Sequence, residues 1–338
     1  MSTIYLILIL GITIFVHELG HFIFAKRAGI YVYEFALGMG PVIFKFNRKN
    51  DETLYSLRLF PIGGYVKMAG ESIEDDDSVP VRKRMQNKTW LQRFLTISAG
   101  IVFNFIFAII VLFFIGLFYG SPKMTPYVGD ILKGSSADIA GMVKGDIIVK
   151  LNDHNIYSTD QFMVEEASLK SGEITLVLKT KTNETKEVTI KKVDGLYGFG
   201  LKEVFEDGFV AAIKYAFAKT GSLVLQMVLV LKYLFMGRIG LESLAGPVGV
   251  YTIVDQAAGY GIVSVIYLNA IISINVGFMN LLPIPAFDGG RLAFLIIEKI
   301  KGKPVSPKIE NTIHLVGFGL LMILMLLITY KDIINLFS

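Results

Sequence analysis

The stretch Thr13–Lys26, TIFVHELGHFIFAK, carries two histidines and a glutamate within a run that is otherwise apolar. His17 and His21 are four residues apart, so on a helix both imidazoles lie on one face and can reach one metal ion. Glu18 can then act as general base on a water molecule that the metal binds. Ionisable side chains inside a membrane span cost about 2.5–3.5 kcal/mol each on insertion scales and are usually functional. The motif predicts a zinc site; the alternative is a pair of helix-end histidines that face water.

The composition around this motif is that of a membrane protein. The 338 residues are 53% hydrophobic and 18% charged, with a mean hydropathy of +0.57. Ordinary soluble domains are more polar, so a polytopic α-helical membrane protein is predicted. The net charge is only +4 and no basic tract is present, so no nucleic acid is expected as a partner. The lack of cysteine excludes disulfides, thiolate metal ligands and a thiol nucleophile.

Four apolar stretches are long enough to cross a bilayer, which takes about 20 residues of helix. They are Thr3–Phe24, Phe94–Tyr119, Gly261–Leu282 and Ile313–Ile334. The first has no basic segment before it and no convincing cleavage site after it, so we interpret it as an uncleaved span. Phe209–Phe235 is interrupted by lysines, and we interpret it as an amphipathic helix that lies in the membrane interface.

Lysine and arginine clusters follow the first span, precede the second and separate the third from the fourth. Such clusters mark cytoplasmic segments, so both termini and the polar region Ser121–Asp207 are expected outside the cytoplasm. The predicted fold has four transmembrane helices, a membrane-associated β-hairpin or sheet, and one inserted extracytoplasmic α+β domain. We divide it into an N-terminal membrane half (1–120), the inserted domain (121–207), an interfacial helix with a connector (208–260), and a C-terminal membrane half (261–338).

A catalytic zinc ion usually has three protein ligands, so the histidine motif needs one more. Asp288 is the only acidic residue in Ser273–Gly290, at the exit of the third span. Pro283 and Pro285 break the helix there, and a broken helix is tolerated at membrane depth only inside protein or beside a cavity. With four spans Asp288 returns to the side of the histidines, whereas a fifth span before it would put it on the opposite side. The alternative is an exit loop with a solvated aspartate.

Thr53–Met68 alternates around a Pro/Gly segment, which predicts a β-hairpin. A transmembrane helix hides its peptide bonds in its own hydrogen bonds, so its cleavage requires local unwinding into an extended strand. An edge strand beside the metal can pair with the unwound backbone and align it. The plainer alternative is a cytoplasmic hairpin without a ligand.

The inserted region has the pattern of a bacterial PDZ domain. Gly134–Asp153, GSSADIAGMVKGDIIVKLND, follows its turn–helix–turn–strand order, and Ile174–Lys179 and Glu187–Lys192 predict further strands. The stretch YGFGLKEV resembles the glycine-rich loop whose amides hold the terminal carboxylate of a peptide. The residues expected in that groove are Gly198, Phe199, Gly200 and Leu201. A filter that binds a peptide or protein is one interpretation, and a sheet domain without a ligand is the other.

Together, HELGH, NLLPIPAFDGG and the intervening FPIGGYVKMAGE resemble the site-2 protease family of intramembrane metalloproteases. Three further stretches fit the same family: GMGP at Gly38–Pro41, SAGIVFNFIFA at Ser98–Ala108 and GPVGV at Gly246–Val250. The resemblance thus covers nearly the whole chain. It implies a zinc metalloendopeptidase that hydrolyses peptide bonds within or near the transmembrane segment of single-span membrane proteins, in regulated intramembrane proteolysis.

The resemblance also implies roles for individual residues. One Zn²⁺ per chain is expected on His17, His21 and Asp288, with Glu18 as the base. Asn280 matches an asparagine of the family that is thought to hold substrate near the metal. The other expected substrate-binding residues are Gly63, Gly64, Tyr65, Pro283 and Pro285.

The expected substrates are anti-sigma factors already trimmed outside, or remnant signal peptides, and the expected location is the lipid bilayer of the bacterial cytoplasmic membrane. A peptide-binding scaffold without catalysis is disfavoured by the intact glutamate and ligand set. A metal transporter is disfavoured because the second and fourth spans offer almost no acidic residue or histidine. We interpret the acidic run Glu71–Ser78 as a solvated loop, His154 as a surface residue, and His314 as an interfacial or packing residue.

Overall fold

The computed structural model describes residues 1–71, 78–240 and 244–337. The chain forms two compact units, Met1–Ala108 with Ala245–Ser338, and Ile109–Leu244. Most of the acidic run predicted as a solvated loop, residues 72–77, lies outside the described residues.

The helices of the described residues are α1 (Ser2–Arg27), α2 (Trp90–Tyr119), α3 (Ser136–Ile139), α4 (Thr159–Ala167), α5 (Phe209–Phe235), α6 (Pro247–Gly259), α7 (Ile262–Leu281), α8 (Asp288–Lys301) and α9 (Pro307–Phe337). The strands are β1 (Val32–Asn47), β2 (Leu54–Met68), β3 (Ser121–Pro122), β4 (Tyr127–Ile131), β5 (Ile147–Leu151), β6 (His154–Asn155), β7 (Glu173–Lys179), β8 (Thr185–Lys191), β9 (Phe199–Lys202) and β10 (Phe205–Glu206).

Five of the described helices are long and apolar enough to cross a membrane: α1, α2, α5, α7 and α9. Four of them coincide with the predicted spans, and the predicted polytopic helical membrane protein is confirmed. The fifth, α5, was expected in the membrane interface, so the number of spans stays a prediction.

In the first unit, α7 runs in the same direction as α1. Near the start of α7, Asn269 Nδ2 donates to the carbonyl oxygen of Ile9 at 3.1 Å and to Thr13 Oγ1 at 3.0 Å. After its end, Asp288 lies beside His17, which is further along α1. Both helices therefore bring their C-terminal ends to the same place.

The start of α2 packs on α8. Trp90 donates its indole N–H to the carbonyl oxygen of Leu295 at 2.8 Å, and Lys299 Nζ lies 5.6 Å from the centre of the indole ring. Leu292 and Leu295 are buried in the same apolar core as Ile97 of α2. The core thus fixes α8, which begins at Asp288, against α2.

β1 and β2 form a sheet that differs from the predicted hairpin. Residues 34–37 of β1 align with residues 64–67 of β2 and also with residues 54–57. A strand has one neighbour on each edge, so the two halves of β2 lie on opposite sides of β1. The predicted pairing within Thr53–Met68 is wrong, because the Pro/Gly segment bends β2 around β1 and does not close a hairpin. The loop at 48–53 joins the two strands instead.

The second unit contains a sheet in the order β8-β7-β5-β4-β9, with β6 paired to β5. The strands predicted at Ile174–Lys179 and Glu187–Lys192 are β7 and β8. Alternate residues of β7 point into a buried apolar core with Val128 and Ile148, as expected for a half-buried strand. β9 lies at the end of the strand order, so one of its edges has no neighbouring strand in this sheet.

The second half of α5 packs against α4 of the same unit. Lys219 Nζ donates to Asp160 Oδ1 at 2.7 Å, and Ser222 Oγ donates to Asp160 Oδ2 at 2.7 Å. Further along, the hydroxyl of Tyr233 donates to Glu165 Oε2 at 2.5 Å, and the Tyr233 side chain is fully buried. Polar side chains of α5 are therefore matched to the polar face of a domain helix.

Candidate metal centre

Three acceptor atoms from two helices meet at one point. His17 Nε2 lies 3.1 Å from His21 Nε2, and Asp288 Oδ2 lies 3.0 Å from His17 Nε2 and 3.2 Å from His21 Nε2. Ligand atoms about 2.0–2.1 Å from a tetrahedral zinc ion are separated by little more than these distances. Among the described residues, His17, His21 and Asp288 form a group of side chains that are close enough together to hold one metal ion.

The hydrogen bond from His21 to α2 supports this assignment. His21 Nδ1 lies 2.8 Å from the carbonyl oxygen of Thr96, which can only accept, so Nδ1 carries the hydrogen and Nε2 carries the lone pair. Asp288 Oδ2 is buried and has no hydrogen-bond partner among the described residues. A lone pair and a carboxylate oxygen at this distance repel unless a cation lies between them, so the donor set fits zinc.

Asn104 of α2 orients the other histidine. Its Nδ2 lies 3.3 Å from His17 Nδ1, while its Oδ1 is buried without a partner among the described residues. The oxygen and nitrogen of an amide are exchanged by a half-turn of the side chain, after which Oδ1 accepts the Nδ1–H of His17. Both imidazoles then donate through Nδ1 to α2 and keep Nε2 free for a metal. The sequence did not predict this role of Asn104.

Glycines allow α2 to approach the two histidines. A Cβ on Gly100 would lie 2.8 Å from Cε1 of His17 and 2.8 Å from Cε1 of His21. Both distances are too short for a carbon–carbon contact, so the position has no room for a side chain. A Cβ on Gly20 of α1 would lie 2.7 Å from the carbonyl carbon of Ala99. Small residues at such positions let membrane helices pack closely, and here they bring the polar groups of α2 to the imidazoles.

The turn between α7 and α8 delivers the carboxylate. α7 ends at Leu281, before Pro283 and Pro285, and Asp288 is the first residue of α8. A Cβ on Gly290 would lie 2.6 Å from the carbonyl oxygen of Ile284, so only glycine allows the turn to close this tightly. The predicted break in the helix is thus present, and it brings the only acid of that segment to the histidines.

A cavity of about 850 Å³ adjoins the three groups within the first unit. Its lining includes Glu18, Tyr65, Arg291 and His314. β2 passes beside the glutamate, because a Cβ on Gly64 would lie 3.5 Å from Glu18 Cγ. A carboxylate, a β-strand and the three acceptor atoms therefore face one space.

Hydrogen bonds brace the sheet at this cavity. The hydroxyl of Tyr65 donates to Glu34 Oε2 at 2.6 Å, and Arg58 donates to Glu34 Oε1 at 2.8 Å. Burial, and then the hydrogen bond to Glu34, raise the pKa of Tyr65 to about 12. Burial also raises the pKa of Glu34, but hydrogen bonds from Ser56, Tyr65 and Arg58 outweigh it and leave that pKa below its ordinary value. The network therefore keeps a charged carboxylate and a neutral phenol at neutral pH.

The remaining predicted residues are not all at the cavity. Asn280, near the end of α7, donates its Nδ2 to the carbonyl oxygen of Val276 at 3.0 Å and is not part of the cavity lining. Gly63 lies on β2 with a φ of +94°. The four residues predicted for a peptide groove lie in the other unit, where Gly198 precedes β9 and Phe199, Gly200 and Leu201 belong to it.

Comparisons with known proteins agree with the geometry. The model of peptidase family M50 matches residues 5–324. The zinc metalloprotease RasP of Bacillus licheniformis is 34% identical, and the putative zinc metalloprotease CPE1693 of Clostridium perfringens is 38% identical; in each case the match covers 99% of both chains. The regulator of sigma-W protease RasP of Bacillus subtilis is 32% identical over 99% of both chains. The predicted resemblance, enzyme class and cofactor are confirmed: the chain belongs to peptidase family M50, the site-2 protease family, and is a zinc metalloprotease.

Proposed function

We propose that the chain cleaves single-span membrane proteins within or near their transmembrane segment, with zinc on His17, His21 and Asp288 and with Glu18 as the base. The observation that carries this proposal is the meeting of three acceptor atoms beside a carboxylate-lined cavity. The three groups fit one zinc ion per chain, with the cavity side left for water and substrate.

Zinc, when bound, supplies Lewis-acid activation of a water molecule and of the scissile carbonyl group. The carboxylate of Glu18 takes a proton from the attacking water and afterwards gives it to the nitrogen of the leaving amine. Asn104 and the carbonyl of Thr96 hold the two imidazoles in one tautomer and one orientation. His17 and His21 are buried, and a low local dielectric strengthens the electrostatic interactions of their imidazoles.

We further propose that the edge of β2 at Gly63, Gly64 and Tyr65 pairs with the unwound substrate. This segment pairs with β1 on one side and passes beside Glu18. Backbone pairing is independent of side chains, so it suits substrates of varied sequence. Asn280, Pro283 and Pro285 are proposed to contact the substrate from the other side; for Asn280, this requires Nδ2 to leave the carbonyl oxygen of Val276.

Four spans are proposed, with α5 in the interface. Because α7 is parallel to α1 in the first unit, the chain between them has to cross back an odd number of times, and α2 is one such crossing. If α5 also crossed the membrane, the chain would cross twice between α1 and α7. The two helices would then be antiparallel. The contacts of Lys219, Ser222 and Tyr233 with α4 also support a helix that lies on a folded domain. The exposed residues Phe209, Ile213 and Phe217 share one face of α5 and fit a lipid surface.

The region 121–207 is proposed to be one PDZ domain that filters substrates, outside the cytoplasm with both termini. β9 supports the groove, because one of its edges has no neighbouring strand in its sheet and Phe199 contacts Phe162 of α4 at 6.4 Å between ring centres. A peptide or protein end would add to that edge and place its carboxylate near Gly198, Gly200 and Leu201.

The name of one relative supports the proposed substrate class. That relative is named a regulator of sigma-W protease, so anti-sigma-factor-like proteins are the first substrates to try, followed by remnant signal peptides. The proposed location is the cytoplasmic membrane of a bacterium, in the lipid bilayer and without a nucleic-acid partner.

The test is cleavage of a tagged single-span substrate, already trimmed on its outer side, by the full chain in liposomes. Wild type is compared with Glu18→Gln and Asp288→Asn, and the bound zinc of all three is measured. We expect only the wild type to cleave the substrate. Glu18→Gln should keep its bound zinc. Asp288→Asn should lose more zinc affinity than the roughly 10- to 100-fold typical of an outer-shell partner, because it alters a direct ligand.

Two outcomes would count against the proposal. If Glu18→Gln cleaves at the wild-type rate, the glutamate is not the base. If Asp288→Asn binds zinc as tightly as the wild type, the third ligand is another group. Gly319→Ala on α9 is the matched control, because nothing lies within 4 Å of a Cβ at that position.

A further inference from the structure

The turn that carries Asp288 contains a strained residue. Ala286 has a φ of +88°, a strained conformation that residues with a side chain rarely adopt. It lies two residues before Asp288, so its conformation decides whether the carboxylate reaches the two histidines. A group that fixes Ala286 therefore fixes the proposed third ligand.

His314 of α9 contacts this residue. The backbone N–H of Ala286 donates to His314 Nδ1 at 2.9 Å. α9 packs directly on the turn here: a Cβ on Gly290 would lie 3.2 Å from His314 Cε1, and a Cβ on Gly317 would lie 2.8 Å from the carbonyl oxygen of Pro285. The imidazole and the glycine one turn later thus leave the strained segment little room to relax.

The hydrogen bond also fixes the tautomer of the ring. Because Nδ1 accepts, it carries the lone pair and the ring hydrogen is on Nε2. Nε2 is buried and has no hydrogen-bond partner among the described residues. A buried donor without a partner is destabilising, so His314 is not a packing residue with both nitrogens satisfied. Its one hydrogen bond goes to the turn that bears Asp288.

We propose that His314 is a positioning residue of the metal centre, which holds Ala286 in its left-handed conformation through Nδ1 and so keeps Asp288 within reach of zinc. This inference rests on the proposed function, because it takes Asp288 as the third ligand. His314 itself touches neither zinc nor substrate in this role.

The test is the zinc affinity of the purified full chain, measured without substrate by competition with a chromogenic chelator. Four proteins are compared with the wild type: His314→Ala, His314→Asn, Ala286→Gly and the double variant His314→Ala/Ala286→Gly. An asparagine carries its amide oxygen close to the position of Nδ1, so it keeps the acceptor and loses the rest of the ring. Glycine adopts a positive φ without strain, so it needs less support from α9.

We expect His314→Ala to weaken zinc binding by about tenfold, in the lower part of the range for outer-shell partners, and His314→Asn to recover most of that loss. We expect the effect of His314→Ala to shrink to less than about threefold when Ala286 is already glycine, because the two positions are coupled. A histidine that only filled space would give the same loss in both backgrounds and no recovery with asparagine.

Three results would overturn the inference. They are wild-type zinc affinity in His314→Ala, equal losses with alanine and asparagine, and an unchanged effect of His314→Ala in the Ala286→Gly background. Asp288→Asn is measured in the same assay, to distinguish failure of the proposed ligand set from failure of the proposed role of His314. If it binds zinc normally, the proposed ligand set fails; if it loses zinc while His314→Ala does not, only the role of His314 fails.

Discussion

Asn104 shows how much of a metal centre can lie outside the residues that a motif contains. Its side chain is fully buried on α2 and contacts His17 Nδ1. We expect Asn104→Leu to weaken zinc binding by about 10- to 100-fold, because the ring loses the acceptor that fixes its tautomer. Asn104→Asp keeps an acceptor there and should bind zinc more tightly than Asn104→Leu, as measured by chelator competition.

The matched control for Asn104 is Asn269, which is also a buried asparagine between spans. It donates to Ile9 and Thr13, away from the imidazoles. Asn269→Leu should lower thermal stability and leave zinc affinity within about threefold of the wild type, since it alters helix packing only. Equal losses of zinc in the two leucine variants would contradict the orienting role of Asn104.

Gly100 gives a second test at this scale. Gly100→Ala adds a methyl group 2.8 Å from Cε1 of each histidine, so α2 has to move away from α1. We expect loss of most cleavage activity and of zinc affinity, because overpacking costs about 1–3 kcal/mol and its strain falls on the ligands. Gly221→Ala, where nothing lies within 4 Å of the added carbon, should behave as wild type in both assays. A Gly100→Ala protein that cleaves normally would contradict this close approach.

The sequence predicted His17, His21 and Asp288 because two of them form a local helical pattern and the third is the only acid in a broken span. It did not predict Asn104 or His314, because their roles depend on which helices become neighbours. One signal was available, namely a polar asparagine in the middle of an apolar span, where polar groups usually have a partner.

At the scale of elements, ion pairs tie α1 to the loop that joins β1 and β2. Lys26, near the end of α1, donates to Asp51 at 2.7 Å and to Glu52 at 2.9 Å in the loop that joins the strands. Lys26→Met should lower cleavage by about fivefold, which corresponds to about 1 kcal/mol for an ion pair near the surface. Zinc affinity should not change, because the ligands do not depend on the loop.

The control for the loop contact is Lys45→Met, an exposed lysine on β1. It should cleave at the wild-type rate, so a similar loss in both variants would point to a general effect of charge. A loss of zinc in Lys26→Met would show that the sheet supports the metal centre and does not act on substrate alone.

The strand pairing of this sheet was predicted incorrectly from the sequence. The alternation in Thr53–Met68 was correctly assigned to strand, but the partner strand β1 contains GMGP and several aromatic residues and gave no clear turn signal. Pairing of strands is a long-range property, and a Pro/Gly segment marks a bend as well as a hairpin turn. The positions of the long apolar helices were predicted more closely, because length and hydrophobicity are local properties.

At the scale of the whole molecule, the number of membrane crossings can be tested directly. The chain has no cysteine, so each introduced cysteine is the only one. With α5 in the interface, Lys170→Cys and Tyr260→Cys should react with an impermeant maleimide on intact cells, whereas Lys301→Cys should react only after permeabilisation. All three positions are exposed. Opposite accessibility of Lys170→Cys and Tyr260→Cys would mean that α5 crosses the membrane.

Trp90 gives the molecule a built-in optical probe. It is the single tryptophan of the chain, and its indole contacts the backbone of Leu295 on the helix that begins at Asp288. Emission of an indole depends on the polarity and hydrogen bonding around it, so any shift of this helix changes the colour and intensity of the fluorescence. Binding of zinc, or entry of a substrate, can therefore be followed in real time on the unlabelled protein.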